Sequence, residues 1–205
     1  MKTPISKWNE RFLASEDYVF GKEPNAFLVR QAASRLKPGM TVLAVADGEG
    51  RNGVWLAEQG CDVWSMDSAP AASERARMLA AERGVSMHVI TADATEMDWN
   101  ERQFDMVVGI FFQFANPQLR AKLFSGMKQA TKSGGYLLVE GYGLKQLEYK
   151  TGGPGIPEHL YTLELMREHF GDMAIEVLEE YDAQLSEGKG HHGMSALVDL
   201  VARKP

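Results

Sequence analysis

The residues best suited to chemistry lie in a glycine-rich turn that follows an apolar stretch. The turn reads GEGRNG (48–53) and fits the G-x-G-x-x-G spacing of dinucleotide-binding turns. The preceding stretch, TVLAVA (41–46), is typical of a buried strand, and the turn opens a short predicted helix over 51–60. This context favours a ligand-binding turn over a purely structural one.

Carboxylates accompany the turn and also end the next two predicted strands. Asp67 lies about 20 residues after the first glycine, where an acid can accept hydrogen bonds from ribose hydroxyls. The alternative for Asp67, or for Ser68 beside it, is to cap the helix that begins near Pro70. The acidic residues of this set are Asp47, Glu49, Asp67 and Asp93.

These charges bear on the identity of the ligand. A carboxylate about 4 Å from a pyrophosphate is repelled by roughly 1–4 kcal/mol, depending on the local dielectric constant. Arg51 offsets only part of this repulsion. S-adenosylmethionine has no phosphate and carries a sulfonium and an ammonium group, so an acidic turn favours it over NAD. Asp93 can accept a hydrogen bond from the adenine amine, or it can be a helix cap or an exposed loop acid.

The elements that position these residues alternate between strand and helix. Such alternation predicts a doubly wound, mostly parallel sheet whose ligands bind beyond the carboxyl ends of the strands. Residues 143–159 are rich in glycine and proline and have neither a helical nor a strand period. Two final strands, joined by SEGKGH, predict an antiparallel hairpin. The predicted helices cover 24–36, 51–60, 70–84, 116–131 and 162–170, and the strands before the hairpin cover 41–46, 61–67, 85–93, 104–112 and 134–142.

Bulk properties narrow the function classes. The 205 residues predict one domain (1–205), with a core over 40–205. A net charge of −6 without a basic face argues against nucleic acid as a partner. No apolar run approaches the ~20 residues of a membrane span, and the N-terminus lacks the apolar core of a signal peptide, so we expect a cytoplasmic protein. The single cysteine, Cys61, excludes an intrachain disulfide and a cysteine-based zinc cluster, and no metal site is expected.

The motifs together resemble class I S-adenosylmethionine-dependent methyltransferases, in particular the small bacterial group related to tellurite-resistance and thiopurine methyltransferases. The resemblance covers nearly the whole chain. It implies a seven-stranded, Rossmann-like sheet with an antiparallel C-terminal hairpin and an N-terminal helical lid segment over 1–36. The segments that carry it are YVFGKEPNAFL (18–28), VLAVADGEGRNGVWLAEQG (42–60), SMDSAPAASERAR (65–77), TADATEMD (91–98), FDMVVGIFF (104–112), QLEYKTGGPG (146–155) and EGKGHHG (187–193).

The resemblance also implies which residues bind the cofactor, S-adenosyl-L-methionine. The turn would face its methionine part, Asp67 the ribose, Asp93 the adenine, and the N-terminal segment would fold over it. The implied cofactor-binding residues are Tyr18, Phe20, Ala46, Asp47, Gly48, Gly50, Asn52, Asp67, Ser68, Asp93, Ala94, Ile110 and Phe111.

The first-strand motif departs from the family pattern. The family reads L-D-x-G-C-G, whereas this chain reads LAVADG over 43–48. Ala44 replaces an acid, and Asp47 can take over its electrostatic role. Ala46 replaces a glycine and adds a methyl group where the backbone approaches the ligand, which would weaken binding.

The acceptor is expected beside the fourth and fifth strands. The candidate residues near it are His191, Tyr142 and Phe112, although FFQF (111–114) also suits core packing and paired histidines in a turn are often exposed. A further arrangement, His159 with His191 and His192 around a metal, has nothing that fixes the mutual distances.

The function implied is methyl transfer to a small-molecule nucleophile by in-line displacement. Such a reaction depends on alignment and on exclusion of water, and it needs a base only if the nucleophile arrives protonated. Two alternatives stay open: an NAD(P)-dependent oxidoreductase, and a protein that binds S-adenosylmethionine without catalysis.

Overall fold

The structure is a computed structural model that describes residues 4–205. Residues 1–3 of the predicted domain (1–205) and of the predicted lid segment (1–36) lie outside the described residues. The helices of the described chain are α1 (Pro4–Ala14), α2 (Ala26–Ala32), α3 (Arg51–Glu58), α4 (Pro70–Glu82), α5 (Pro117–Ala130), α6 (Gln146–Tyr149) and α7 (Leu163–Phe170), with a 3₁₀ turn at Pro157–His159. The strands are β1 (Thr41–Val45), β2 (Asp62–Asp67), β3 (His88–Thr91), β4 (Phe104–Ile110), β5 (Thr131–Tyr142), β6 (Ala174–Glu187) and β7 (His191–Arg203).

The strands of the described residues form one seven-stranded sheet in the order β3-β2-β1-β4-β5-β7-β6. The ladders β1–β2, β2–β3 and β4–β5 are parallel. β7 runs antiparallel to β5, with Glu140 opposite Asp199. The predicted doubly wound, mostly parallel α/β sheet with antiparallel strands at its C-terminal end is confirmed.

Internal packing divides the chain into two compact units. Unit 1 contains the chain up to residue 97 and the short segment Glu187–Gly190. Unit 2 contains Asp98–Ser186 and His191–Pro205. Unit 1 therefore carries β1 to β3 with α1 to α4, and unit 2 carries β4, β5, α5 to α7, β7 and all of β6 except its last residue. The single domain predicted over 1–205, with its core over 40–205, stays a prediction.

Unit 1 is built around β1, whose residues 42–45 are all buried. A strand covered on both faces reads as a continuous apolar run, which explains TVLAV. Helix α4 begins with Pro70 in its first turn, as its fixed φ allows. Buried Phe12 and Val19 pack with Ala69 and Ala72 around the start of α4.

Unit 2 is built around β4 and β5, which pair along most of β4. Helix α5 begins after Asn116, whose side chain accepts the Leu119 N–H. The Phe124 ring lies on the buried face of α5, within 6.0 Å of the ring centroids of Phe112, Tyr161 and Phe170. These rings form the aromatic core of the unit.

Four predicted segments differ from the observed elements by three residues or more. Two of them are the strands expected over 85–93 and 134–142, which are observed as His88–Thr91 and Thr131–Tyr142. The helix expected over 24–36 begins at Ala26 and ends at Ala32, because Asn25 caps it by accepting the Leu28 N–H and so places Pro24 outside the helix. The loop expected over 143–159 contains α6 and the 3₁₀ turn. Both pieces are too short to produce a recognisable hydrophobic period.

Candidate functional site

The glycine turn of unit 1 follows β1 in a left-handed conformation. Ala46, Gly48 and Gly50 have φ values of 51°, 59° and 84°. Gly50 is the residue before α3 and has no side chain to cap that helix. The turn thus reaches α3 through three positions that favour glycine, one of which holds an alanine.

The three glycines of the turn are required for different physical reasons. A Cβ on Gly50 would lie 2.6 Å from the Ala76 Cβ, and one on Gly53 would lie 2.6 Å from Asp47 Oδ2. Gly48 would meet only Phe12, at 3.7 Å. Gly50 and Gly53 therefore allow close packing inside unit 1, while Gly48 is required by its backbone conformation.

Asp47 turns its carboxyl group into the unit. Oδ2 accepts the Ser65 hydroxyl at 2.7 Å and the Gly53 N–H at 3.2 Å. Burial raises the pKa of Asp47 from 3.8 to about 7, while these two hydrogen bonds act in the opposite direction. The observed contacts of the Asp47 side chain are internal, and its predicted role toward the cofactor stays a prediction.

Asp67 ends β2 beside the turn. Oδ2 accepts the Gly48 N–H at 2.9 Å, and Oδ1 accepts the Ala69 N–H at 2.8 Å. Burial raises the pKa of Asp67, and these backbone N–H groups lower it. No basic side chain of the described residues forms an ion pair with Asp67. The N-cap of α4 is Ala69 and has no side-chain bond, so neither Asp67 nor Ser68 caps that helix.

The other charges near the turn are paired. Glu49 is buried, forms an ion pair with Arg75 at 2.7 Å and accepts the Val19 N–H at 2.7 Å. Arg51 forms an ion pair with Glu187 at 2.6 Å, with both side chains largely buried. Neither arginine is available to neutralise a pyrophosphate, so the ion pairing of both arginines, and not only the number of carboxylates, disfavours a dinucleotide.

Three other predicted cofactor-binding residues of unit 1 make contacts within the protein. The Tyr18 hydroxyl donates to the Arg75 carbonyl at 3.0 Å, and the Phe20 ring lies 6.2 Å from Trp8. Asn52 Oδ1 accepts the Asn25 N–H at 2.9 Å. These contacts hold the N-terminal segment against α3 and α4, and its function as a lid stays a prediction.

A backbone hydrogen bond connects the residues that follow β3 to the end of β2. The Ala92 N–H donates to the Asp67 carbonyl at 3.0 Å. Asp93 is the next residue, and its Oδ1 accepts the Thr95 N–H, which closes a local turn. Ala94 is buried. Unit 1 thus brings the turn, Asp67 and residues 92–94 to one edge of the sheet.

Unit 2 gathers three predicted residues at the ends of its strands: Phe111 directly after β4, Tyr142 as the last residue of β5 and His191 as the first residue of β7. Phe111 follows Ile110 with φ 54°, an uncommon conformation for a bulky residue. Its ring centroid lies 4.2 Å from His191 and 4.7 Å from Tyr142. His191 is buried, in contrast to the exposed alternative. We call Phe111, Tyr142 and His191 the aromatic triad.

Phe112 points into a different environment. It is 3% exposed, and its ring packs edge-on against Phe124 at 6.0 Å. Of the adjacent rings in FFQF, Phe111 belongs to the aromatic triad and Phe112 to the core. Phe112 as a residue near the acceptor stays an untested prediction with this contact against it.

Three buried polar residues of unit 2 were not among the predicted site residues. Gln113 donates to the Tyr142 and His159 carbonyls and accepts the Tyr142 N–H at 2.6 Å. Gln146 accepts the Ala196 N–H at 3.0 Å, and Arg120 lies on the buried face of α5. A glutamine within FFQF and an arginine in register with an apolar helical stripe were the available signals.

The described residues contain no group of three or more histidine, cysteine or acidic side chains placed to hold a metal ion. No helix of that same part of the chain has both the length and the apolar character to cross a bilayer.

Sheet order, glycine turn and the acid at the end of β2 together define the class I methyltransferase fold. Residues 42–135 match the family described as a methyltransferase domain. An uncharacterised protein of Mycobacterium tuberculosis is 32% identical over 84 residues, covering 40% of this chain and 31% of that protein. The chain spans about a third of the length of the curated relatives it matches.

Solved structures share the fold. TehB from Haemophilus influenzae has a TM-score of 0.70 at 21% identity, covering 86% of this chain and 61% of TehB. The N-methyltransferase NodS from Bradyrhizobium japonicum, solved with S-adenosyl-L-homocysteine, has a TM-score of 0.71 at 16% identity. The match covers 99% of this chain and 100% of NodS. The recognition of a class I methyltransferase fold from sequence motifs is confirmed, including the likeness to a TehB structure.

Proposed function

We propose that this protein is an S-adenosylmethionine-dependent methyltransferase that acts on a small-molecule nucleophile. The observation that carries the proposal is the Asp67 carboxylate, held at the end of β2 by the N–H groups of Gly48 and Ala69. Each oxygen keeps acceptor capacity, and within residues 4–205 no ion pair neutralises the charge. Such a group suits ribose hydroxyls beside a cationic cofactor.

The match of residues 42–135 to a methyltransferase domain supports the same cofactor, since it includes the turn, Asp67 and Asp93. Pairing of Arg51 with Glu187 and of Arg75 with Glu49 counts against the dinucleotide alternative. S-adenosylmethionine supplies an electrophilic methyl group when bound. Asp67 would orient the ribose, and the aromatic triad, in which Tyr142 and His191 are buried, would exclude water from the acceptor.

A base is needed only for an acceptor that arrives protonated and is a poor acid. His191 is the candidate for that role, because its imidazole lies in the aromatic triad and His191 is 8% exposed. A thiolate or another soft anion would need no base. A cytoplasmic location and the absence of nucleic-acid or membrane partners stay predictions.

Calorimetric titration with S-adenosylmethionine, S-adenosylhomocysteine and NADH tests the cofactor. We expect the first two to bind and NADH not to bind. Asp67→Asn should weaken S-adenosylmethionine by about tenfold, the loss expected for hydrogen bonds to a charged group. Asp62→Asn, at the exposed beginning of the same strand, is the matched control and should bind as the wild type does.

Binding of NADH alone would overturn the proposal in favour of an oxidoreductase. Equal affinity of Asp67→Asn and wild type would remove Asp67 from the site. Tight S-adenosylmethionine binding without turnover across a panel of thiols, amines and phenols would favour the non-catalytic alternative. Thermal melts of both variants show whether an effect arises from loss of folding.

A further inference from the structure

A buried arginine in unit 2 has far fewer hydrogen bonds than its donors allow. Arg120 is 6% exposed, and its Nη1 donates to the Glu158 carbonyl at 2.6 Å. Arg120 Nε is buried and makes no hydrogen bond to the described residues. A guanidinium has five N–H donors in a planar fork. Most of the capacity of Arg120 is therefore unused within the chain.

The charge of Arg120 is not compensated either. No carboxylate of the described residues lies within the 4.0 Å ion-pair distance. Glu168 acts on it only through space and is exposed. Tyr161 lies beside it, but burial raises the pKa of that phenol, which stays neutral at ordinary pH. An unpaired buried cation is costly, so a compensating anion would stabilise it.

Arg120 and Lys128 are two positive charges that act on the same neighbouring residue, His169. Burial lowers the pKa of Arg120 itself. Burial also lowers the pKa of His169; the charge of Glu168 opposes this effect, and the charges of Arg120 and Lys128 add to it. Lys128 is balanced by Asp172 at 2.9 Å, whereas Arg120 is not balanced. A second buried polar atom without a partner, His159 Nδ1, lies in the residue after Glu158. Two polar groups without a hydrogen-bond partner among the described residues, Arg120 Nε and His159 Nδ1, thus belong to residues that meet at the segment 158–159.

Residues 158–159 and Arg120 follow strands that end at the same edge of unit 2. Arg120 follows β4 and residues 157–161 follow β5, and parallel β4 and β5 end at the same edge of the sheet. Gln113 joins the two regions, because its Nε2 donates to both the Tyr142 and the His159 carbonyls. Tyr142 in turn belongs to the aromatic triad.

We propose that Arg120 is the core of an anion-binding subsite that takes a carboxylate carried by the methyl acceptor. The guanidinium fork would bind the two oxygens in parallel, the geometry for which arginine is suited. Because Gln113 connects the 158–159 segment to Tyr142 of the aromatic triad, this selects small aromatic acids over neutral aromatic molecules. The assignment of the anion to the acceptor rests on the proposed function, whereas the anion site itself does not.

Titration of the full-length protein with benzoate and with benzamide tests the subsite, because the two probes share a shape and differ in charge. We expect wild type to bind benzoate about tenfold more tightly than benzamide. Arg120→Gln should bind both equally. Arg167→Gln, which removes an exposed arginine from α7 of the same unit, should keep the preference.

A benzoate affinity equal to that of benzamide in wild type, or a preference kept in Arg120→Gln, would overturn the subsite. Inorganic phosphate separates the two sources of an anion. If phosphate displaces benzoate at equal or lower concentration, the site holds a free inorganic anion and the carboxylate assignment is wrong. If circular dichroism shows that Arg120→Gln does not fold, Arg120→Lys is used instead. A smaller preference of Arg120→Lys for benzoate over benzamide supports the subsite. An unchanged preference contradicts bidentate binding of the carboxylate by the guanidinium group.

Parallel titrations with S-adenosylmethionine separate this proposal from the proposed function. Cofactor binding without any benzoate preference would reject only the subsite. Benzoate preference without cofactor binding would retain the anion site and reject methyl transfer. A lower KM for 2-mercaptobenzoate than for thiophenol, reversed in Arg120→Gln, would show that the anion-binding subsite serves the methyl acceptor.

Discussion

At the scale of single residues, backbone conformation marks the same positions as chemistry does. Only three non-glycine residues among those described have positive φ, and two of them, Ala46 and Phe111, follow directly on β1 and β4. A left-handed conformation costs an alanine or phenylalanine of the order of 1–2 kcal/mol. In Phe111 this cost coincides with placement of the ring against Tyr142 and His191.

Ala46 has no ring contact that would offset its conformation. We expect Ala46→Gly to raise the free energy of unfolding by about 0.5–1 kcal/mol, since relief of the left-handed strain exceeds the entropy that glycine adds to the unfolded chain. Urea denaturation measures the change. Ala44→Gly, in the extended β1, should destabilise by about 1 kcal/mol. Equal losses in both variants would contradict the strain argument.

The enclosed Asp47 carboxyl predicts a pH dependence of stability. Its folded pKa, about 7, exceeds the ordinary value of 3.8, so its stabilising contribution is complete below pH about 4 and is lost as pH rises through 7. The nearby charges of Asp67 and Arg51 act on it in opposite directions. Asp47→Asn should therefore gain stability relative to wild type by about 1–4 kcal/mol between pH 5 and pH 8. Urea denaturation at both pH values measures this, and parallel curves would contradict it.

At the scale of elements, the segment Glu187–Gly190 orders the N-terminal part of unit 1. Glu187 binds Arg51 at the start of α3 and the Asn25 side chain at the start of α2. The Gly190 N–H donates to the Val19 carbonyl at 2.9 Å. The segment Glu187–Gly190 therefore contacts the start of α2, the start of α3 and the loop that joins α1 to α2.

Glu187→Ala should lower the free energy of unfolding by about 2–4 kcal/mol, because it leaves Arg51 buried without its partner. Glu82→Ala removes the exposed partner of Lys22 and should stay within experimental error. Guanidinium denaturation of both variants gives the comparison. A small effect of Glu187→Ala would show that solvent replaces the ion pair.

The same segment packs too closely for any side chain at Gly188. Gly188 and Gly84 have φ values of 67° and 69°, but a Cβ on Gly188 would overlap Gly21 and Phe20, whereas one on Gly84 meets nothing within 4 Å. Gly84→Ala should cost about 1 kcal/mol for backbone strain alone. Gly188→Ala should cost at least about 2 kcal/mol more, since overlap is added. Thermal denaturation distinguishes the two, and equal losses would show that the segment yields.

Local signals explain why so much of the sheet could be predicted. Buried strands such as TVLAV, the cap at Asn116 and the glycines of the turn act on neighbours in the sequence. The pairs Arg51–Glu187 and Arg120–Glu158 join residues far apart in the chain, and no local pattern marks them. The role of Asp47 toward the cofactor stays a prediction, and the inward direction of its carboxyl group depends on packing against β2, which no local pattern encodes.

At the scale of the whole molecule, the two compact units carry different candidate chemistry. Unit 1 contains the turn and Asp67, which are the basis of the cofactor proposal, and unit 2 contains the aromatic triad and Arg120, which are the basis of the acceptor proposal. Each ligand should therefore stabilise its own segments against local opening.

Hydrogen exchange followed by mass spectrometry tests this division. S-adenosylmethionine should slow exchange at 46–52, 67–69 and 91–94, because ligand binding raises the free energy of local opening, by about 2.7 kcal/mol at a hundredfold excess over Kd. Benzoate should slow exchange at 111–120 and 157–162 and leave the first set unchanged. The exposed segment 100–103 serves as the internal control for both ligands. Protection by S-adenosylmethionine outside 46–52, 67–69 and 91–94 would place the cofactor elsewhere, and benzoate protection absent from 157–162 would separate Arg120 from the acceptor.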